Sequence, residues 1–255
     1  MRSTTSSASG TDVRVGRIPY LNSEPFYFAL QGHELVPLPP RPLGQAMEAG
    51  RIDAGPLSLV DFFRLERTLR ALPLGIATNG PARSVILFSA RPPKELDGAV
   101  VGVTDETSTS VEILRLLLTA KYGVTPRAWV DAAAPSDAVL LIGDQALRAL
   151  HGDHPAPHRI DVGTEWVQWT GLPCVFARWG VRASLGAPAT AALAEALEAS
   201  IGRALASLPR IAGARRDVGL DETGVHRYLG GFTYRLGHDE ERAITELRRR
   251  LEPWP

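Results

Sequence analysis

The fold is organised around the stretch Val13-Arg14-Val15-Gly16-Arg17-Ile18 and the nearby motif Tyr20-Leu21-Asn22-Ser23-Glu24-Pro25. Apolar residues alternate with polar or small ones in the first stretch, which predicts a β-strand. Asn22 and Ser23 stand just ahead of Pro25 and an aromatic run, a pattern typical of a helix start. Asn22 is therefore expected at the carboxyl end of the first strand, where open α/β folds bind ligands. The alternative is that both side chains only cap the helix.

Composition limits the classes of function. The 255 residues contain 28 Lys plus Arg and 28 Asp plus Glu, so the net charge is zero. The sequence has no basic stripe that would indicate a nucleic acid partner, and none is expected. Cys174 is the only cysteine, which excludes a disulfide framework and a cysteine metal cluster. Residues 1–12 resemble a disordered leader, and no apolar run is long enough to span a membrane. We expect a cytoplasmic location and no membrane partner.

Strands and helices alternate along the chain, which predicts an α/β fold with mixed sheets and flanking helices, followed by a helical C-terminal part. Two long apolar strands, 84–89 and 174–181, flank a second α/β unit and are interpreted as a hinge. Lobe one is then 13–89 plus 177–255, and lobe two is 90–176. This arrangement predicts the two-lobe clamshell of type II periplasmic-binding proteins, with the ligand between the lobes.

Two details of this prediction concern connections. The link 131–137 is too short to contain a full crossover helix. In the C-terminal part, Pro209 is expected to end an Ala-rich helix over 189–208, because proline cannot continue a helix.

Polar clusters fall where strands end or helices begin. They are Asn22-Ser23, Ser58, Gly80 to Ser84, Thr107-Ser108-Thr109-Ser110, and Asp144. The run of four hydroxyls precedes an apolar helix, so hydroxyls, free N–H groups and the helix dipole together predict a neutral cradle for an anion. An ordinary helix cap with spare hydroxyls is the alternative.

Other features point away from several kinds of enzyme. Because His151, His154 and His158 lie around a Pro-containing loop, they are interpreted as surface histidines and no metal site is expected. Trp166 and Trp169 are interpreted as packing residues. The sequence has no Walker loop, no dinucleotide-binding glycine fingerprint, no nucleophile elbow and no zinc-protease motif, and we expect no cofactor.

The ordered motifs resemble the chorismate dehydratases of the futalosine route to menaquinone. The resemblance covers residues 13 to 182, and its motifs are Tyr20-Leu21-Asn22-Ser23, Gly55-Pro56-Leu57-Ser58, Gly80-Pro81 followed by Ser84-Val85, Thr107-Ser108-Thr109-Ser110-Val111, Leu141-Ile142-Gly143-Asp144-Gln145-Ala146-Leu147-Arg148, and Trp169-Thr170-Gly171-Leu172-Pro173. It implies a hydro-lyase that removes water from chorismate to give 3-[(1-carboxyvinyl)oxy]benzoate. The oligomeric state stays open.

The resemblance also implies roles for individual residues. Asn22 and Ser84 are expected to be catalytic: Asn22 orients the substrate, and Ser84 holds a carboxylate or the departing hydroxyl. The residues expected to bind substrate are Ser23, Ser58, Gly80, Thr107, Ser108, Thr109, Ser110 and Asp144.

No polar cluster contains His or Lys as an obvious general base. The nearby carboxylates are Glu24, Asp105, Glu106 and Asp144, and each has an alternative role at a helix start or in a solvated loop. We therefore expect the enolpyruvyl carboxylate of the substrate itself to take the C3 proton. The open alternatives for the protein as a whole are a cytosolic small-anion-binding protein without catalysis, and the related 1,4-dihydroxy-6-naphthoate synthase.

Overall fold

The computed structural model describes residues 13–252, so the predicted leader 1–12 lies outside the described residues. The strands are β1 (Arg14–Arg17), β2 (Glu34–Pro37), β3 (Ala54–Ser58), β4 (Leu69–Thr78), β5 (Val85–Ser89), β6 (Val100–Val103), β7 (Ala128–Asp131), β8 (Ala138–Ile142), β9 (His158–Asp161), β10 (Cys174–Arg182) and β11 (Thr233–Arg235).

The helices are α1 (Glu24–Tyr27), α2 (Pro40–Glu48), α3 (Leu59–Leu65), α4 (Thr109–Leu116), α5 (Gly143–His151), α6 (Val162–Thr170), α7 (Ala187–Leu205), α8 (Leu208–Ala214), α9 (Glu222–Leu229) and α10 (His238–Leu251). Within residues 13–252, no helix is both long enough and apolar enough to cross a membrane. Acidic residues begin α10 and arginines end it, which matches the charge of the helix dipole at each end.

The strands form two mixed sheets, as predicted. The first has the order β11-β4-β10-β3-β1-β2, in which β1 is parallel to β2 and β3, and β10 is antiparallel to β3 and β4. The second has the order β7-β6-β8-β5-β9, in which β6 is parallel to β7 and β8, and β5 is antiparallel to β8 and β9. The carboxyl ends of β1 and β6 each lead into a polar turn followed by a helix.

The chain passes between the sheets at different positions from those expected. Strand β5 was assigned to lobe one, but Val85–Ser89 is hydrogen-bonded between β8 and β9 in the second sheet. The whole of β10, including Cys174, pairs with the first sheet. We therefore propose that the lobes divide at residues 79–84 and 171–173, because these segments join strands of different sheets.

The short link 132–137 runs back beside β6. Its ends are hydrogen-bonded to that strand, Ala132 N to Val103 O at 3.0 Å and Asp137 N to Val100 O at 2.9 Å. The link approaches so closely that a Cβ on Gly102 would lie 3.0 Å from Ser136 Oγ. Glycine in β6 therefore allows β7 and β8 to flank this strand with no crossover helix between them.

Pro209 lies after the end of α7 and at the beginning of α8. It occupies the first turn of α8, a helix that was not predicted from the sequence. Proline is tolerated there because the amide it lacks would have no intrahelical acceptor.

Aromatic packing anchors the short helix α1 to the first sheet. Phe26 is fully buried, and its ring contacts Trp179 and Tyr234 edge to face, with centroids 5.3 Å and 5.5 Å away. Trp166 is likewise buried, and its Nε1 donates to Pro173 O at 3.0 Å, in agreement with a packing role. The anchoring of α1 fixes the position of the turn that precedes it.

Candidate active site

A cavity lies between the two sheets, and the space free of protein atoms there, including the part open to solvent, is about 500 Å³. Both sheets and the turns that follow their strands contribute to its wall. The lining residues are Ile18, Tyr20, Asn22, Pro40, Ser58, Ile76, Val85, Thr107, Ser108, Thr109, Ser110, Ile142, Gly143, Phe176 and Ala177.

The turn after β1 places Asn22 in this cavity. Leu21–Ser23 forms a single 3₁₀ turn, and the Ser23 side chain makes no capping hydrogen bond to α1. Ser23 Oγ instead donates to Ile18 O at 2.7 Å and is 2.9 Å from Tyr20 O, which fastens the turn to the end of the strand. The alternative interpretation, in which Asn22 and Ser23 serve only as helix caps, is therefore wrong. Asn22 Oδ1 is buried and has no hydrogen-bond partner among the described residues.

The opposite wall is the start of α4. Its cap residue, Ser108, makes no side-chain hydrogen bond to the first turn. An α-helix leaves its first amides without intrahelical acceptors, so the N-terminus of α4 offers N–H groups and a positive dipole to the cavity. The hydroxyls of Thr107–Ser110 surround it, although Thr109 Oγ1 is already engaged by the amide of Val60 at 3.2 Å.

Arg41 in α2 holds this wall in place from the first lobe. Its Nε and Nη2 donate to Thr107 O at 3.0 Å and 2.7 Å, and its amide donates to Glu106 O at 3.1 Å. The Arg41 guanidinium group therefore binds the backbone of the loop and is not among the groups that line the cavity.

Ser58 completes the polar lining from the end of β3. Its Oγ donates to Asp61 Oδ2 at 2.7 Å and accepts from the Asp61 amide at 3.1 Å, which makes Ser58 the cap of α3. Since the hydroxyl proton is directed to Asp61, Ser58 presents a lone pair to the cavity.

Tyr20 closes one end of the cavity. Its hydroxyl donates to Glu106, which also accepts from Gln145 Nε2 at 3.0 Å, so the first lobe is connected to two segments of the second. Burial, followed by the hydrogen bond to Glu106, raises the pKa of Tyr20. The phenol is therefore neutral. Tyr20 was not predicted as a lining residue, although it begins the motif that contains Asn22.

Ser84 does not reach the cavity, contrary to the sequence-based prediction. Its side chain is fully buried, and its Oγ accepts a 2.6 Å hydrogen bond from Tyr228, which lies in α9. The next residue, Val85, is the one that lines the cavity. Gly80 is also outside the lining; it lies in the segment that connects the sheets.

Asp144 lies beside the cavity and is not among its lining residues, whereas the preceding Gly143 is. Its Oδ1 accepts from the Leu21 amide at 2.9 Å, and its Oδ2 accepts from Arg215. Burial raises the pKa of Asp144, and the hydrogen bond from Leu21 and the charge of Arg215 act against that rise. Of the predicted ligands, the structure thus brings together Asn22, Ser58 and Thr107–Ser110, and leaves out Ser23, Gly80, Ser84 and Asp144.

The cavity is largely apolar, and its polar groups are uncharged. Within residues 13–252, none of the side chains that line it belongs to Asp, Glu, Lys, Arg or His. Neutral donors at the start of α4 suit an anionic ligand, and the free Oδ1 of Asn22 suits a hydroxyl donor.

The profile of a family described as menaquinone biosynthesis matches residues 13–253. A chorismate dehydratase from Thermus thermophilus is 30% identical over 240 residues, which cover 85% of this chain and 87% of that protein. The chain belongs to the menaquinone biosynthesis family.

Solved structures establish the fold of this family member. The protein AF1704 from Archaeoglobus fulgidus matches with a TM-score of 0.77 at 17% identity, covering 95% of this chain and 97% of that one. The periplasmic aliphatic sulphonate-binding protein SsuA from Escherichia coli matches with a TM-score of 0.68 at 14% identity, covering 97% and 88%. The predicted clamshell of the periplasmic-binding-protein type is confirmed.

Proposed function

We propose that this protein is a chorismate dehydratase, a hydro-lyase that converts chorismate to 3-[(1-carboxyvinyl)oxy]benzoate and water in the futalosine route to menaquinone. The relative from Thermus thermophilus supports the substrate and the reaction. The observation that carries the proposal is the unpartnered Asn22 Oδ1 in an uncharged cavity that also contains the start of α4. A biosynthetic enzyme of this kind is expected in the cytoplasm.

The substrate defines what the site must do. The C3–H bond of chorismate is conjugated through a ring double bond to the ring carboxylate, so loss of the proton gives an extended enediolate. The C4 hydroxyl then leaves, and the ring becomes aromatic. The C3 proton and the departing hydroxide together account for the water. Catalysis therefore requires donors at the ring carboxylate and a base held near C3.

The start of α4 supplies the donors. Its amides and the hydroxyls of Ser108 and Ser110 bind the ring carboxylate, where negative charge grows as the proton leaves. Asn22 orients the ring from the opposite lobe, with Oδ1 accepting a hydrogen bond from the C4 hydroxyl. An amide is too weak a base to remove the proton, so its role is to orient.

The enolpyruvyl carboxylate of the substrate acts as the base. The lining formed by the described residues contains no charged side chain. The carboxylates near it are already engaged: Glu106 by Tyr20 and Gln145, and Asp61 by Ser58. The enolpyruvyl carboxylate is attached to C3 through the ether oxygen, so it is already close to the C3 proton. No entropy is lost in bringing a separate base to the proton.

Incubation of the purified protein with chorismate tests the function. Loss of the diene absorbance and a product lighter than chorismate by one water, measured by mass spectrometry, are the expected results. Binding of chorismate without turnover would support the anion-binding alternative, and turnover of a cyclised futalosine product instead of chorismate would support the naphthoate synthase.

Variants test the roles of the residues. Asn22→Ala is expected to lower kcat by about 10²–10³, the effect typical of losing one preorganised group. Gln31→Ala is the matched control, since Gln31 is an exposed amide side chain outside the cavity lining and outside the segments that join the lobes. Ser84→Ala is expected to keep most of kcat, because Ser84 does not line the cavity. Equal rates for Asn22→Ala and Gln31→Ala, or loss of turnover only in Ser84→Ala, would overturn these roles.

A further inference from the structure

The turn that carries Asn22 is held at its first residue by the other lobe. The Leu21 amide donates to Asp144 Oδ1 at 2.9 Å, and Asp144 lies in the first turn of α5, directly after β8 of the second sheet. The carboxylate is 5% exposed. The position of Asn22 in the cavity therefore depends on a contact that crosses between the lobes.

Arg215 holds the same turn at its other end. Its Nη2 donates to Asp144 Oδ2, and its Nη1 donates to Glu24 Oε1 at 3.0 Å. Glu24 is the residue after the turn and also accepts from Arg17 Nη2 at 3.1 Å. A planar guanidinium can bind two carboxylates in fixed directions, which the point charge of a lysine cannot do.

A second ion pair extends the contact. Asp217 accepts from Arg215 Nε at 3.1 Å and from Arg148 Nη2 at 2.7 Å, and Arg148 lies on α5 one turn after Asp144. Arg215 thus connects α1, which follows β1, with α5, which follows β8. The group therefore joins residues of both lobes.

These contacts argue against a direct chemical role for Asp144. Each of its oxygens accepts a hydrogen bond from the protein, and the side chain is not among those lining the cavity. A base for the C3 proton needs an oxygen free to approach the substrate.

We propose that Asp144 and Arg215 are positioning residues that form a latch between the lobes and set the orientation of Asn22. This inference rests on the proposed dehydratase function for its kinetic consequence, but the latch itself is independent of the reaction.

Hydrogen exchange tests the latch without any activity. In Asp144→Ala and Arg215→Lys, the amides of residues 18–24 are expected to exchange faster than in the wild type. Arg216→Lys is the matched control, because Arg216 is the exposed neighbouring arginine. Unchanged exchange in both latch variants would overturn the proposal, whether or not the protein acts on chorismate.

Kinetics distinguish positioning from direct chemistry. Arg215→Lys is expected to lower kcat by up to about 10²-fold, the loss typical of misplacing a group by about 1 Å, with a smaller change in KM. Asp144→Asn keeps an acceptor for the Leu21 amide and is expected to retain more kcat than Asp144→Ala. Equal loss of kcat in Asp144→Asn and Asp144→Ala, with exchange unchanged in Asp144→Asn, would instead assign Asp144 to the chemistry. Failure of the wild type to turn over chorismate would overturn the proposed function and leave the exchange result standing.

Discussion

Gly143 provides a test of how the cavity wall is built. It follows β8 with a φ of +56°, and a Cβ placed on it would lie 2.5 Å, 2.6 Å and 2.8 Å from three ring atoms of Tyr20. Glycine is therefore favoured here for two reasons: the backbone is left-handed, and the Tyr20 ring leaves no room for a Cβ. Gly143→Ala introduces a conformational penalty and a clash with a residue that lines the site.

The two costs can be estimated separately. A left-handed conformation costs a residue with a Cβ about 1–2 kcal/mol. Forcing an extra carbon into a packed position costs about 1–3 kcal/mol, because the neighbouring ring must move. Gly143→Ala is thus expected to lower the free energy of unfolding by about 2–5 kcal/mol. It is also expected to lower kcat/KM for chorismate, since Tyr20 leaves its place in the cavity wall.

Gly98→Ala separates the two costs. Gly98 has a φ of +66°, but a Cβ there would have no atom within 4 Å. Urea unfolding of both variants should therefore show Gly143→Ala to be less stable than Gly98→Ala by about 1–3 kcal/mol. In a Tyr20→Ala background this difference should disappear, because the ring is gone. Equal destabilisation by the two alanines, or a difference that survives in that background, would refute the reasoning.

Two further predictions concern residues away from the site. Cys174 is fully buried and burial raises the pKa of its thiol, so iodoacetamide should modify it only when the protein unfolds; rapid labelling of the native protein would contradict this. Hydrogen bonds from Arg249 and Arg250 hold the pKa of Glu246 at about 2, below its ordinary 4.5. Its stabilising contribution is therefore complete above pH 4.5 and is lost as the pH falls towards about 2. The difference in free energy of unfolding between wild type and Glu246→Gln should vanish across that range, and a constant difference would speak against it.

The fold class could be predicted because strand and helix signals are local. Alternation in residues 13–18 and the unbroken apolar character of 138–142 each indicate one element without reference to the rest of the chain. Which sheet a strand joins, however, depends on residues that are distant in the sequence. Val85–Ser89 is buried on both faces, and nothing within it distinguishes pairing with β8 and β9 from pairing with the first sheet. The position of the crossing between sheets was therefore wrong, although the strand itself was right.

Side-chain direction limited the prediction of the site in the same way. In an extended strand Arg83 and Ser84 would point to opposite faces of the sheet. Arg83 has a φ of +59°, so the alternation does not extend through this residue. Asp161 stabilises the conformation by accepting from the amides of Ala82 and Arg83 at 2.9 Å and 2.7 Å. A left-handed arginine has no sequence signal, and Val85 lines the cavity instead of Ser84.

Whether a side chain is already hydrogen-bonded within the protein distinguishes the predicted ligand-binding residues better than the residue type does. Ser23 and Asp144 have the expected chemistry and lie next to the cavity, but the protein engages their side-chain oxygens. Asn22 Oδ1 is buried and has no partner in the part of the chain that the structure describes, and such a group costs about 1–3 kcal/mol in the free protein. A ligand that donates a hydrogen bond to Oδ1 removes this penalty. The unpaired oxygen therefore destabilises the free protein and favours binding of the ligand. Asn22→Ala should consequently be at least as stable as the wild type in urea while it loses turnover, and a destabilised variant would show that Asn22 serves the fold.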